Sequence, residues 1–438
     1  MSSFGTTDFD LSGQLAATSA VRAATEIRNV AIVGFGTVGR SVARILSARH
    51  AQTLRLTHIA NRNIERKRVD WVRSDVQWTN SFNDVLSADV DIVVELIGGL
   101  HPAKEFVASA LRAGKSVVTA NKQLIAAYGD ELLLLARKHG QQLAFGASVA
   151  GGIPLLPALE TGLCGDKIVE IRGVLNGTCN YILTRIENAG ITFEAALAEA
   201  QSLGYAEADP TDDVDGYDAC AKLAILARTA LGCNVQQSSI PLGSIRRITP
   251  LDFTYAKRIG RTIRQLSRAK WEAHGISAWV QPALVPLSSA AAKVEGSQNV
   301  VITTGEFGGD NVFSGFGAGG DPTAVAVVSD LVAIARGATP SSPNESVWDV
   351  KASDDFEAAR YVKFVINDRL GILASLAATF SKHGINIEAV LQEPGYPKTA
   401  RPFVMTLEPC RTRQLQAAVE EIDKFDFLVE PALALPIV

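Results

Sequence analysis

Short apolar runs alternating with stretches of helical period set the pattern of the first third of the chain. Arg28–Val33 (RNVAIV) predicts a buried strand, and RSVARILSARH behind it repeats apolar positions at helical spacing. Further apolar runs follow at Leu54–Ala60 (LRLTHIA), Val90–Ile97 (VDIVVELI) and Ser116–Thr119 (SVVT), with helical patterns in PAKEFVASALRAG and YGDELLLLARKHG. Strands alternating with helices predict an α/β domain over 28–145, built on a parallel, doubly wound sheet. From 146 to 318 the pattern becomes an α+β mixture, with helices over Phe193–Leu203 and Tyr217–Leu231. A helix after Pro322, within 319–338, is expected to return to the first domain. The polar, Pro/Ser-rich stretch 339–358 reads as a linker. From 359 to 438 the runs YVKFVIN, INIEAVLQ, RPFVMTL and FLVEPALAL, with helical patterns between, give the order βαββαβ. Residues 1–27 carry neither period and read as a flexible tail.

Composition narrows the class. A chain of 438 residues is too long for one core, and 47% hydrophobic with 20% charged residues is ordinary for a soluble globular protein. The net charge of −4 gives no basic face for nucleic acid and no polybasic membrane anchor. The five cysteines are scattered without a CxxC pair, which argues for a reducing compartment and against a disulfide framework or zinc site. No apolar stretch reaches the ~18 residues of a spanning helix, and the N-terminus lacks a signal-peptide pattern. A cytoplasmic protein is expected.

Two motifs carry chemistry. Gly34-Phe35-Gly36-Thr37-Val38-Gly39 is GxGxxG in its required setting, with a strand before it and a helix after. Gly34 permits the tight turn, Gly36 lets backbone approach a pyrophosphate, and Gly39 lets helix pack on strand. The second strand ends Ala60-Asn61-Arg62 without the acid that binds an unphosphorylated ribose, so NADP is favoured over NAD, with Arg62 as phosphate partner. Arg66 and Lys67 fit a solvated helix face as well. Because ligands bind beyond the carboxyl ends of such strands, Gly98 and Lys122 fall at the nicotinamide edge; an ordinary loop lysine is the bland alternative for Lys122. The second motif is the run 204–222, GYAEADPTDDVDGYDACAK. It gathers Glu207, Asp209, Asp212, Asp213, Asp215 and Asp218 and closes on Lys222. Asp218 and Lys222 are spaced i, i+4, on one face of a helix beginning near Gly216. A solvated acidic loop would be the default for an isolated charge run; beside a dinucleotide site it points to redox chemistry on a small charged substrate.

With GFGTVG, VVTANKQLIA at 117–126, SVAGGIP at 148–154, LNGTCNYIL at 175–183, the acidic run at 204–222 and GAGGDPTA at 317–324, the chain resembles the homoserine dehydrogenases from about Arg28 to Arg336. The resemblance implies NAD(P)-dependent interconversion of L-homoserine and L-aspartate 4-semialdehyde on a Rossmann-type domain and a substrate/dimerisation domain, in a homodimer or homotetramer. It assigns Lys222 as acid/base for the substrate hydroxyl and Lys122 as a second lysine near the nicotinamide. Glu207 becomes the carboxylate for the substrate α-ammonium, Asp213 and Asp218 the supporting acids, and Gly319 a cofactor contact. The family also binds a monovalent cation, taken as sodium, through backbone carbonyls that match Val149, Gly151 and Ile153 and through a glutamate. This chain has Gly146 in the glutamate's place, which should weaken that site.

The tail with Asp368-Arg369-Leu370-Gly371 at its first turn resembles an ACT domain, which implies an amino-acid effector, with threonine the natural candidate, bound around Asn367, Asp368 and Gly371. A plain oligomerisation module is the alternative. No kinase-like region precedes the nucleotide domain in this sequence, so a monofunctional enzyme is expected. Two other classes stay open: a sensor that binds nucleotide without turnover, and a semialdehyde dehydrogenase acting through Cys179 or Cys220.

Overall fold

The apolar runs of the first domain become the strands of one sheet in the computed structural model, which describes residues 27–50, 52–337 and 348–438. The tail read at 1–27, all but its last residue, and residues 339–347 of the 339–358 linker lie outside the described residues. The described residues form two compact units.

The first unit runs to Gly152 and resumes at Gly319. Its strands are β1 (Arg28–Val33), β2 (Leu54–Ala60), β3 (Gln77–Thr79), β4 (Ile92–Glu95), β5 (Ser116–Thr119) and β6 (Leu143–Ala144), in the order β3-β2-β1-β4-β5-β6. Every pairing is parallel. β3 and β6 are too short to show a period in sequence. β4 is shorter than the apolar run that contains it, because the chain turns at Glu95. The last expected helix begins six residues earlier than its pattern, at Lys122, because Asn121 caps it by accepting from Leu124 N. The core joins Ile32, Val94 and Val118 to Val42 and Leu46 of the helix Thr37–Arg49 and to Ala324, Val327 and Leu331 of the helix Gly320–Ala335. That returning helix is therefore integral to this unit, its buried Val327 and Leu331 each contributing about 1.5–3 kcal/mol.

The second unit spans Ile153–Ala318 and the described residues from Trp348 onward. Its strands are β7 (Ile168–Val174), β8 (Cys233–Val235), β9 (Arg261–Glu272), β10 (Gly275–Pro286), β11 (Gln298–Gly305), β12 (Gly309–Phe316), β13 (Trp348–Val350), β14 (Glu357–Ile366), β15 (Ile387–Gln392), β16 (Arg401–Arg411) and β17 (Leu433–Ile437). β8 and β13 pair in parallel; the other nine form one sheet, β12-β11-β7-β9-β10-β17-β14-β16-β15. The βαββαβ module expected to stand apart behind a linker is instead joined edge to edge through β10 and β17. Its Tyr361, Val404, Leu433 and Leu435 enter the same core as Ile182, Phe253 and Ile263.

Candidate active site

In the first unit, the nucleotide turn is fixed by backbone contact. Gly34 has φ +104°, and a Cβ there would stand 2.6 Å from the Leu96 carbonyl oxygen. A Cβ on Gly39 would stand 2.3 Å from the Gly34 carbonyl oxygen, so no larger residue lets the helix close on β1. Gly36 and Thr37 are exposed and Val38 is half-buried. The first-turn N–H groups, which have no partner inside a helix, thus open where a phosphate can reach them. The Phe35 ring is buried against Trp78 with centroids 5.0 Å apart, so any contact it makes with a cofactor is through backbone. Its N–H donates to Asn61 Oδ1 at 3.1 Å. Arg62 follows, exposed in the turn after β2.

Glu95, buried at the end of β4, organises the next loop. It accepts from Ile97 N (2.8 Å), Gly98 N (3.3 Å) and Thr119 Oγ1 (2.6 Å). The Thr119 hydroxyl in turn accepts from Asn121 N, and Asn121 Nδ2 donates to the Gly99 carbonyl at 2.6 Å. Lys122, the first residue of its helix, is half-buried. Gly319 caps the returning helix. A Cβ on the next residue, Gly320, would come 2.8 Å from Thr37 Cγ2, and Ser41 Oγ donates to Asp321 Oδ1 at 2.6 Å. Two helix N-termini therefore meet at the nucleotide turn.

Gly146 donates its N–H to Asp330 Oδ2 at 2.9 Å, and a Cβ there would stand 2.9 Å from Asp330 Oδ1. A buried carboxylate so occupies the space into which a side chain at 146 would grow. Ala150, φ +59°, is the one non-glycine with positive φ among the described residues, a conformation costing about 1–2 kcal/mol. Strain of this kind gathers at functional turns. The Ile153 carbonyl accepts from Leu155 N at 2.7 Å. No cluster of three or more His, Cys, Asp or Glu is set to hold a metal among the described residues. The donors in this loop are neutral carbonyls, which suit a hard monovalent cation.

In the second unit, the helix Tyr217–Leu231 carries Asp218 and Lys222, both buried. Lys222 Nζ donates to Asp218 Oδ2 at 2.7 Å and to the Leu175 carbonyl at 2.9 Å. Asn299 Nδ2 donates to that same carbonyl at 2.8 Å. Asn176 Nδ2 donates to Asp213 Oδ1 (2.6 Å) and Asp218 Oδ2 (2.8 Å), while its Oδ1 accepts from Cys179 N (2.8 Å) and caps the helix Gly177–Ala189. The acidic run does not act as one group. Asp215 is taken by Ser244 (2.6 Å) and Arg246 (3.0 Å), and the guanidinium holds its carboxyl below the usual range. Asp209 accepts from Thr211 N, and Glu207 and Asp212 are exposed. Asp213, Asp218 and Lys222 come together; Glu207 stays on the surface of its loop.

Cys179 and Cys220, the two candidates for a thioester, are poor nucleophiles. Burial, helped by neighbouring carboxylates, pushes the Cys179 thiol well up, and burial pushes Cys220 to about 11. The thioester route is not favoured. Asn61, Glu95, Asn121, Asn176 and Asn299 escaped the sequence reading. Only Asn121 and Asn176 carry a local signal, asparagine being a preferred N-cap residue.

Three family models match the chain: homoserine dehydrogenase over 154–332, the homoserine dehydrogenase NAD binding domain over 34–146, and the ACT domain over 360–427. The homoserine dehydrogenase of Bacillus subtilis is 37% identical over 392 residues, 86% of this chain and 90% of its own. That of Mycobacterium bovis is 39% identical over 422 residues, 91% and 94% of the two chains. A crystal structure of a homoserine dehydrogenase from Thiobacillus denitrificans is similar with a TM-score of 0.87 at 33% identity, covering 94% of this chain and 98% of that one. A hyperthermophilic archaeal homoserine dehydrogenase in complex with NADPH gives a TM-score of 0.60 at 28% identity, over 72% and 100%.

Proposed function

The chain belongs to the homoserine dehydrogenase family, and from that premise we propose that Lys222, held by Asp218, is the acid/base at the substrate hydroxyl. The enzyme is a nicotinamide-dependent oxidoreductase. The buried Lys222–Asp218 contact at 2.7 Å carries the reading of the roles. Oxidation of L-homoserine removes a proton from the hydroxyl as hydride leaves its carbon, and reduction of L-aspartate 4-semialdehyde returns both. When bound, the nicotinamide accepts or supplies the hydride. A charged lysine has three N–H donors, two of which serve Asp218 and Leu175. One is left to meet a substrate oxygen, donating to it or, from the neutral amine, taking its proton. Lys122 serves as the second ammonium at that oxygen, Glu207 takes the substrate α-ammonium, and Asp213 and Asp218 complete the binding set. Gly34 to Gly39, Gly98 and Gly319 hold the cofactor. The carbonyls of Val149, Gly151 and Ile153 would hold a sodium ion, without an anionic side chain from 146. A sensor without turnover has no use for a buried lysine–carboxylate pair.

Absorbance at 340 nm with L-homoserine and NADP or NAD tests the reading. Reduced cofactor should form only when homoserine is present; a protein that binds cofactor without forming it would be a sensor. We infer a preference for NADP from the exposed guanidinium of Arg62 where an acid would select NAD. Arg62→Ala should raise KM for NADP at least about tenfold, a charge-assisted hydrogen bond being worth ~1.5–3 kcal/mol, and leave KM for NAD within about twofold. Equal effects on both cofactors would remove the basis for the preference.

The ACT module supports feedback control, with threonine as the effector at Asn367, Asp368 and Gly371. Asp368 accepts from Arg401 at 2.6 Å and Gly371 caps the first helix of the module. Asp368→Asn should raise the threonine concentration for half-inhibition about tenfold by releasing Arg401. An enzyme that ignores threonine altogether would leave the module an oligomerisation device. We propose a homodimer or homotetramer, which sedimentation would distinguish. No helix among the described residues is long and apolar enough to cross a membrane.

A further inference from the structure

We infer that Asn176 is a positioning residue for the reaction, holding Asp213 and Asp218 side by side so that both stay ionised beside Lys222. The inference rests on the reading of Lys222 as acid/base. Two carboxylates brought together repel, and each favours protonation of the other unless donors stand between them. The Asn176 amide nitrogen supplies two N–H donors in one plane, 2.6 Å from Asp213 Oδ1 and 2.8 Å from Asp218 Oδ2. Asp218 Oδ2 is the same oxygen that accepts from Lys222 Nζ. The amide therefore braces the carboxylate that aims the lysine, and it is itself 3% exposed, so water does not share the task.

The residue type is decisive. A hydroxyl has one donor and cannot serve both acids, and a carboxylate has none. An ammonium or guanidinium could donate to both, but would compete with Lys222 for Asp218. The other half of the amide has a separate duty, since Asn176 Oδ1 accepts from Cys179 N at the helix N-cap. Serine and aspartate also cap helices well. The cap and the bridge can thus be separated by substitution: Asn176→Ser and Asn176→Asp keep the cap, lose the second donor or both, and the aspartate adds a third negative charge.

Other polar and charged groups lie near the pair. Asp215 is engaged by Arg246 and Ser244. The Cys179 thiol, which donates to the Asp213 carbonyl, is pushed far up by burial and does not ionise in the working range. Gln265, which donates to the same carbonyl from β9, is neutral. On the strands packed against the lysine helix, Glu170 of β7 pairs with Arg172 and with Arg268 of β9, and Arg264 of β9 pairs with Glu187. Glu160 lies on the π-helical turn Ala158–Gly162 against the same helix and is raised to about 7 by burial. Its titration is common to every variant and cancels in the comparison.

The experiment is the pH profile of kcat/KM for L-homoserine oxidation, with thermal unfolding, for the full-length wild type, Asn176→Ser, Asn176→Asp, Asn176→Ala and Lys222→Arg. Both capping variants should unfold within a few degrees of wild type. Their activity at neutral pH should fall about 10- to 100-fold and recover toward wild type as the pH is raised. The acidic limb should move upward in the order wild type, Asn176→Ser, Asn176→Asp. The sign follows from the chemistry: losing donors to an anion makes it easier to protonate, so a higher pH is needed to restore the charge. If Asn176→Ala loses activity and stability while Asn176→Ser restores both with the wild-type profile, the residue is only a cap and the inference falls. If Asn176→Asp does not fold, Asn176→Ser alone decides. A Lys222→Arg enzyme with near-normal turnover would instead overturn the acid/base reading itself, whatever the Asn176 variants do.

Discussion

Replacing Lys222 by methionine is expected to lower kcat for L-homoserine oxidation by about 10²–10⁴-fold, the range that a positioned general acid or base contributes. The loss should fall mainly on kcat, because the proton moves in the transition state while the α-ammonium and carboxylate of the substrate bind elsewhere. Methionine keeps most of the stem's apolar packing but takes the lysine's hydrogen bond and charge away from Asp218. Breaking a buried pair in this way costs about 3–5 kcal/mol, so stability must be measured beside activity. Lys222→Arg separates the two effects. A guanidinium can still pair with Asp218, yet it does not release a proton at any working pH. A folded arginine variant with less than about 1% of wild-type kcat would match the acid/base role. Turnover within a few-fold of wild type would reduce Lys222 to an electrostatic partner of the substrate oxygen.

The parts of this site legible in sequence are those whose physics is local. Gly34 and Gly39 declare a turn because the next strand and helix leave no room for a Cβ, and Asp218 and Lys222 declare a pair because four residues is one helical turn. β1, β2 and β5 matched their apolar runs because the sheet buries most of the apolar residues in each. What stayed hidden depends on contacts across long separations. Asn176 reaches Asp213 and Asp218 across 37 and 42 residues, and Asn299 meets Leu175 across 124. The Asp330 carboxylate that fills the space beside Gly146 is 184 residues away. The acidic run looked like one charged loop because nothing local shows that Arg246, 31 residues on, draws Asp215 out of it. The joining of β10 to β17 was invisible for the same reason. A Pro/Ser-rich stretch in between suggested independence, whereas strand pairing depends on where the chain returns.

That joining has a measurable consequence, since the C-terminal module cannot be treated as an appendage. Replacing Lys363 by methionine is expected to destabilise the second unit by about 3–5 kcal/mol, the cost of leaving one member of a buried pair behind. Asp252 on the helix Pro250–Arg258 is 0% exposed, and its carboxylate accepts four hydrogen bonds. Two come from its own helix cap, Thr249 N at 2.8 Å and Thr249 Oγ1 at 2.7 Å. Two come from β14 of the ACT module, Tyr361 OH and Lys363 Nζ, each at 2.7 Å. The Tyr361 hydroxyl is pushed far above its ordinary range by burial and by this neighbouring carboxylate, so it stays a donor throughout the working pH. Lys363 is therefore the one counter-ion among these four donors. The double variant Asp252→Asn, Lys363→Met should be less damaging than the sum of the single changes, with a coupling energy in the ~0.5–3 kcal/mol range of contacting residues. Thermal unfolding checks this: Lys363→Met should melt lower by roughly 6–20 °C, in one transition for the catalytic strands and the module together. Two separate transitions, or a change under about 1 kcal/mol, would mean that the module folds independently despite the shared sheet. A single lowered transition would also explain why effector responses should be tested by point changes at Asp368. Removing the module would take Tyr361, Lys363, Leu433 and Leu435 out of the core that supports the helix bearing Asp252.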